Sequence, residues 1–446
     1  MRVVNLAIGG ILCGSLFAAT ALAQNSPSAE LRQPSSVQQT SYESSYVYFD
    51  SQTGTEPAAA AKTEAPAQQA NEEDATCEPW KIPQPAILRC HGIEVGGWID
   101  AGFNSADVYT GDRWAGIDGY SDRNREVGVD QLYAFLKKDV KTDGCGTDWG
   151  GRFDMMYGTE ARYVQEAGLE RSWGQDGVYQ LALPQFYFDV GINDWTIRIG
   201  HFYTLLGYEV ATAPDNFFYT RDYSIMYGEP TTHTGVMLMK KVNDQLTFDV
   251  CAHRGTSDNV DSFTGEKIAF MTGATWKSKN EKLTLNFAMT AGQDDVLLDD
   301  YVIYSGNAQY KVSDKLNYVI QNDYGQEQNA PGVEATWYSM INYLFYTIND
   351  CWSAGFRYEI FRDNNGTRVA GLGIPGQNDN PHTGPYVGNF SEITCGLNWK
   401  PNLNVTVRPE LRWDWFDGTT APGSQEPYVG NHDQQFSFAT DVIFTF

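Results

Sequence analysis

Positive charge is scarce in this chain: 31 Lys and Arg stand against 56 Asp and Glu among 446 residues, a net charge of −25. That balance excludes binding driven by phosphate neutralisation, which needs a basic face, so no nucleic-acid partner is expected. Long apolar runs are missing as well. After the first two dozen residues nothing approaches the roughly 20 consecutive apolar residues of a membrane helix, so a helical membrane protein is excluded. No Gly-rich phosphate loop and no Gly-x-Ser-x-Gly in a strand-to-helix context is present, and no compact metal-ligand motif. The expectation is therefore no enzyme, no catalytic residue, no cofactor and no metal. What is plentiful is aromatic: 26 Tyr, 23 Phe and 12 Trp argue against disorder throughout. Composition alone leaves a soluble enzyme or a β-barrel.

The chain divides by composition. Residues 1–23 carry Arg2, an apolar core from Ile8 to Leu22 and the small-residue site Ala21-Leu22-Ala23, the pattern of a secretory signal peptide, which puts the mature start at Gln24. Cys13 follows Leu12 where a lipoprotein signal wants Gly or Ala, which argues against lipid attachment. Residues 24–76, rich in Gln, Ser, Ala, Pro and Glu, bury too little apolar surface to offset their ordering entropy and read as a disordered linker. Its Tyr42, Tyr46, Tyr48 and Phe49 read as isolated aromatics rather than a partner-binding patch. In the short segment 77–91, Cys77 and Cys90 flank a proline-rich loop that an exported protein could close with a disulfide. Cys145, Cys251, Cys351 and Cys395 are expected as buried thiols, or as at most one more bridge.

From residue 92 to 446 the dominant pattern has period two, which sends successive side chains to opposite faces of a strand. Val405, Val407, Leu411, Trp413 and Trp415 share one face, while Thr406, Arg408, Glu410, Arg412 and Asp414 share the other. No soluble sandwich core takes four charges on one strand face. Sixteen such segments follow one another, from 92–104 to 432–446, and those at 127–140, 231–242 and 336–348 are apolar on both faces. Seven short connections alternate with eight longer ones, placing both barrel ends on the short-turn side. Tight turns, long loops on the other rim and an even strand count are the asymmetry of an outer-membrane β-barrel. The fold expected is all-β, a transmembrane antiparallel barrel of about sixteen strands. The last strand, alternating through Phe436, Phe438, Val442, Phe444 and terminal Phe446, resembles the assembly signal of such barrels.

Particular motifs carry a family resemblance. Arg198-Ile199-Gly200-His201-Phe202-Tyr203, Gly207-Tyr208-Glu209, Asn216-Phe217-Phe218-Tyr219 and Glu229-Pro230-Thr231-Thr232-His233-Thr234-Gly235 resemble the OmpL-like β-barrel porin family. The opening strand Gly96-Gly97-Trp98-Ile99-Asp100 and the Phe-terminated end extend the similarity over roughly residues 92 to 446. The resemblance implies an outer-membrane location, lipid as a partner and a water-filled pore, but not a particular solute. By analogy with porins of this size, a homotrimer is the expected assembly, with the N-terminal segment in the periplasm.

If one strand face meets lipid, the other lines the lumen. The pore-lining residues expected on parity are Glu94, Asp100, Arg152, Asp154, Asp189, Arg198, Asp249, Asp323, Arg357, Glu359, Glu392, Arg408, Glu410, Arg412 and Asp414, with Lys311 and Asp441 beside them. Acids outnumber bases, which points to diffusion of small hydrophilic solutes or ions with mild cation preference. The alternatives are a closed barrel whose external loops bind a partner or matrix, or an outer-membrane hydrolase. The long connection 204–230 carries Glu209, Asp215, Asn216, Arg221, Asp222 and Glu229. It either folds inward as a constriction or packs outside among its neighbours. His201, His233 and His253 fall near the outer ends of consecutive strands and are expected as structural or rim histidines rather than a site. Asp112, Asp118 and Asp122, like Asp294, Asp295, Asp299 and Asp300, lack calcium-loop spacing and read as solvated acidic loops.

Overall fold

The computed structural model describes residues 79–111, 113–142, 144–254, 256–257, 260–261, 263, 266–293, 300–328, 334–370 and 384–446. The expected signal peptide, the linker, Cys13, Cys77, Asp112, Asp294, Asp295 and Asp299 lie outside them. Sixteen barrel strands follow in chain order. They are β1 (Glu94–Ala106), β2 (Glu126–Lys138), β3 (Thr147–Gly158), β4 (Gln180–Ala182 and Phe186–Ile192), β5 (Trp195–Tyr203), β6 (Thr232–Asn243), β7 (Leu246–Arg254) and β8 (Ile268–Lys277). The second half comprises β9 (Leu283–Gln293), β10 (Asp300–Lys311), β11 (Leu316–Glu327), β12 (Ala335–Asn349), β13 (Trp352–Asp363), β14 (Tyr386–Asn402), β15 (Val405–Val407 and Glu410–Thr420) and β16 (Gln434–Thr445).

Each strand pairs antiparallel with its sequence neighbour, and β1 closes the ring on β16 from Trp98 opposite Thr445 to Ala106 opposite Ser437. Closure leaves no open sheet edge, so backbone donors and acceptors are satisfied within the wall. The terminal residue takes part: Phe446 donates to the Gly97 carbonyl at 2.9 Å and accepts from the Gly97 amide at 3.0 Å. Two strands are split at proline, which has no N–H to give the ladder. Pro184 lies in the break of β4 and Pro409 in that of β15.

Seven connections sit at one rim, all but one of them five residues or fewer, and eight mostly longer ones at the other, with the chain entering and leaving the barrel at the short-turn rim. Alternation places Val236, Leu238, Phe248, Val250, Leu285, Phe287, Leu411, Trp413, Phe436 and Phe438 on an exposed outward face. Their inward neighbours are buried or partly buried. Ahead of β1, residues 79–93 strap the seam: the Trp80 amide donates to Asn404 Oδ1 at 2.8 Å, and the Trp80 ring stacks on Phe444 at 6.0 Å between centroids.

The strands that are apolar on both faces have a reason. On β12 the outward Tyr338, Met340 and Leu344 are exposed, while the inward Ile341, Tyr343 and Phe345 pack against Phe217 and Phe218, inside the barrel. Likewise Met237 and Met239 on β6 share an interior cluster with Leu205 and Leu206. The four cysteines expected as buried thiols divide: among the described residues Cys145, Cys351 and Cys395 are exposed and Cys251 is buried, with no bridge between them, while Cys90 is exposed and its expected partner Cys77 lies outside the described residues. Cys145 and Cys351 sit in turns and Cys395 on the outward face of β14, places where parity or a turn directs a thiol out of the core.

Candidate functional site: the barrel interior and its inner loop

Parity fixes which charges point inward. Asp154, Arg357, Glu359, Glu392 and Asp414 have no exposed surface, and Asp100, Arg152, Asp189, Arg198, Asp249, Asp323, Arg408, Glu410, Arg412 and Asp441 are all buried. Glu94 differs: it lies at the short-turn rim, partly exposed, within 3.6 Å of Lys81 and 3.8 Å of Lys137. Lys311 is exposed at the same rim.

Every arginine of this wall is held by a carboxylate. Arg152 meets Asp154 at 2.8 Å, Arg198 meets Asp189 at 2.9 Å, Arg357 meets Glu392 at 2.5 Å and Arg412 meets Asp414 at 2.7 Å, while Arg408 pairs with Asp441. Arg198 also lies over the Tyr187 ring at 3.6 Å. Charge-assisted pairs of this kind are needed where water is excluded, because an unpaired buried ion is costly. The surplus is acidic. Asp100, Asp249, Asp323 and Glu359 make no ion pair among the described residues, and both carboxyl oxygens of Asp100 are buried without a hydrogen bond.

The connection from Thr204 to Thr231 folds into the barrel. Wall carboxylates accept its backbone amides: Glu410 takes Tyr219 at 2.9 Å and Thr220 at 3.0 Å, and Glu359 takes Tyr223 at 2.6 Å and Ser224 at 3.0 Å. Wall arginines donate to its carbonyls. Arg408 reaches Ala213 and Asn216, each at 2.8 Å, and Arg412 reaches Arg221 at 2.6 Å. Arg357 binds both the Thr220 carbonyl at 2.9 Å and the Glu209 carboxylate at 2.7 Å. A loop carries unsatisfied peptide groups wherever it leaves water. Here the charged wall supplies the partners that a sheet or helix would otherwise provide.

Of the residues expected in a constriction, Glu209, Asn216, Arg221, Asp222 and Glu229 are buried against the wall. Asp222 accepts from the Tyr343 hydroxyl at 2.6 Å and Glu229 from Gln321 at 2.9 Å. Asp215 accepts from Thr212 at 2.8 Å in a short 3-10 turn.

Other long-rim connections join the packing. Asp118 and Asp122, expected as solvated, are buried: Asp118 accepts from Gln435 at 2.7 Å, and Asp122 from Arg162 at 2.7 and 2.8 Å. Neither had a partner within its own loop to reveal this. Asp300, in the other acidic loop, is exposed. Among the described residues no cluster of His, Cys, Asp and Glu can hold a metal ion. The three histidines divide between faces. His233 and His253 point inward with ring centroids 4.4 Å apart, whereas His201 has the outward parity of Ile199 and lies against Glu166 at 3.1 Å and Thr234 at 2.9 Å. Parity placed His201 on that face; its cover, Glu166, comes from the distant connection between β3 and β4.

Burial raises the carboxyls held in these loops. It pushes Asp222 up to about 7, with Glu209 nearby adding to the effect; Glu160 rises to about 7 and Asp118 to about 8. A carboxyl whose folded value exceeds its unfolded one keeps its proton in the native packing after the unfolded chain has released it. The resulting stabilisation is complete below about pH 4 and fades as pH climbs through 7 to 8. Amides of the inner loop should therefore exchange hydrogen more slowly at pH 5 than at pH 9 after correction for intrinsic rates. Greater protection at pH 9 would contradict the placement of these groups.

The comparisons agree with this architecture. Residues 92–446 match the family described as "Putative beta-barrel porin-2, OmpL-like". Among solved structures, the anion-selective porin from Comamonas acidovorans superposes with a TM-score of 0.54 at 8% identity, covering 79% of this chain and 99% of that one. OmpT, an outer membrane protein of Vibrio cholerae, gives 0.48 at 10% identity, covering 79% and 97%. A mutant porin of Rh. blastica gives 0.46 at 12%, covering 79% and 100%. At 8% identity the first of these speaks to fold alone. No curated protein sequence matches. The chain belongs to the OmpL-like β-barrel porin family, and its barrel is an outer-membrane porin fold.

Proposed function

We propose that this barrel is an outer-membrane diffusion channel for small hydrophilic solutes or ions, rather than an enzyme, and that the connection 204–231 sets its bore. The carrying observation is that this loop lies inside a closed sixteen-strand wall and is fastened to inward-facing charges along its length. A ring of this strand number is wide enough for a water-filled passage when nothing occupies it. The apolar outward face then meets lipid, the short-turn rim faces the periplasm, and the N-terminal segment lies there. Lining roles fall to Asp100, Arg152, Asp154, Asp189, Arg198, Asp249, Asp323, Arg357, Glu359, Glu392, Arg408, Glu410, Arg412 and Asp414, with Glu94 at the periplasmic mouth. Association as a homotrimer is part of the same reading.

Selectivity follows from the wall. Its arginines are neutralised in pairs and its surplus groups are carboxyls, which favours cations wherever water reaches them. Under a potassium chloride gradient across a planar bilayer, the reversal potential should take the sign of modest cation preference. A potential of the opposite sign would overturn the selectivity while leaving the channel intact. A second reading, a closed barrel with partner-binding loops, is favoured by the complete burial of Asp154, Arg357, Glu359, Glu392 and Asp414. Single-channel recording separates the two: discrete steps from purified refolded protein support the channel, and a silent bilayer supports the closed barrel.

A further inference from the structure

We infer that the outward face of β10–β12, centred on Gly306, Asn322 and Asn342, is the surface through which this chain binds a second copy of itself. The inference rests on the outer-membrane reading but not on conduction. Asn322 lies halfway along β11 and is exposed; Asn342 lies halfway along β12 and is partly exposed. Both have outward parity, so in a bilayer they stand near the middle of the hydrocarbon layer. Each makes one hydrogen bond. Asn322 Nδ2 donates to the Ser339 carbonyl at 2.7 Å, and Asn342 Oδ1 accepts from the Tyr318 hydroxyl at 2.6 Å. The other end of each carboxamide has no hydrogen-bond partner among the described residues. Lipid offers no hydrogen bond there, and polar groups at that depth are costly unless another protein surface covers them. On β6, β7 and β9 the outward face at comparable height is Val236, Leu238, Phe248, Val250, Leu285 and Phe287.

Gly306 provides an independent observation. It pairs directly with Asn322, and a Cβ built on it would meet nothing nearer than Phe287 at 3.7 Å, an ordinary contact. The barrel's own packing therefore does not require glycine at this position. Glycine weakens a strand interior, and where internal packing does not demand it, it marks close approach of another backbone. Ala308 follows on the same face, opposite Ile320, so the centre of the patch is low.

The chemistry selects the occupant. One carboxamide has a free acceptor and the other a free donor, so the patch is self-complementary. Identical barrels inserted in one membrane with one topology are related by rotation about the membrane normal, which preserves depth. A polar atom at the midplane then meets its equivalent at the midplane, a match that an unrelated partner or a lipid headgroup would not supply.

Photo-crosslinking of the full chain in its membrane tests this. A benzophenone amino acid at position 322 should give a dimer-sized adduct containing only this chain, and one at position 238 on β6 should not. Equal adducts at both positions, no adduct at 322, or an adduct there with a different protein would overturn the inference. Independently, Gly306→Phe and Asn322→Leu should shift the detergent-solubilised protein from an oligomeric to a monomeric mass in light scattering. Circular dichroism would verify that the barrel has formed. An unshifted mass in folded variants, or a monomeric parent protein, would count against it. Conductance is not part of the readout, so a silent but oligomeric barrel would refute the channel and leave this interface standing.

Discussion

Replacing residues 208–228 with a short Gly-Ser linker should raise single-channel conductance several-fold. The segment lies within the ring, and from Val210 to Tyr227 it contacts Gln131 on β2 and inward residues of β11 to β16. Its removal unblocks cross-section rather than altering the wall. The barrel should still assemble, because the antiparallel ladder satisfies the strand backbone without help from the loop. The carboxylates left behind, Glu359 and Glu410, lose two backbone donors each but regain water, which replaces the loss. Their charge then lies in an aqueous bore, so cation preference should rise together with conductance. An unchanged step size in correctly folded protein would mean that ions do not pass where this loop sits.

How far the sequence discloses such a loop is instructive. Alternation is a property of the extended backbone, so inward Arg408, Glu410, Arg412 and Asp414 and outward Leu411 and Trp413 could be read from position alone. The direction taken by a connection is not local. Nothing near Tyr219 or Ser224 announces that their amides end on Glu410 and Glu359, more than a hundred residues later in the chain. One indirect signal existed. A strand with apolar residues on both faces, such as β12, cannot have water behind its inner face, and Tyr343 and Phe345 were thereby pointing to an interior partner. Asp118 and Asp122 show the limit: acidic residues in a loop look solvated until Gln435 and Arg162 arrive from elsewhere. The ends of the first and last strands differ from expectation by one or two residues: the first strand runs Glu94–Ala106 against 92–104, and the last Gln434–Thr445 against 432–446.

Arg357→Met should be the most damaging single substitution in the interior. The guanidinium is fully buried and binds Glu392 on the neighbouring strand, Glu209 in the inner loop and the Thr220 carbonyl. It therefore joins wall to loop through two carboxylates. Removing one member of a buried ion pair typically costs about 3–5 kcal/mol, because the partner remains desolvated without a counter-charge. Here two partners are stranded, so either they take up protons or the loop leaves the wall. Thermal unfolding should shift downward, and the segment around Tyr219 should become open to protease while the ladder persists. Adding Glu209→Gln and Glu392→Gln removes the stranded charges and should recover much of the lost stability, since a neutral group of similar volume leaves no buried ion. Unfolding at the parent temperature in Arg357→Met, or no recovery in the triple variant, would show that this guanidinium does not fasten the loop.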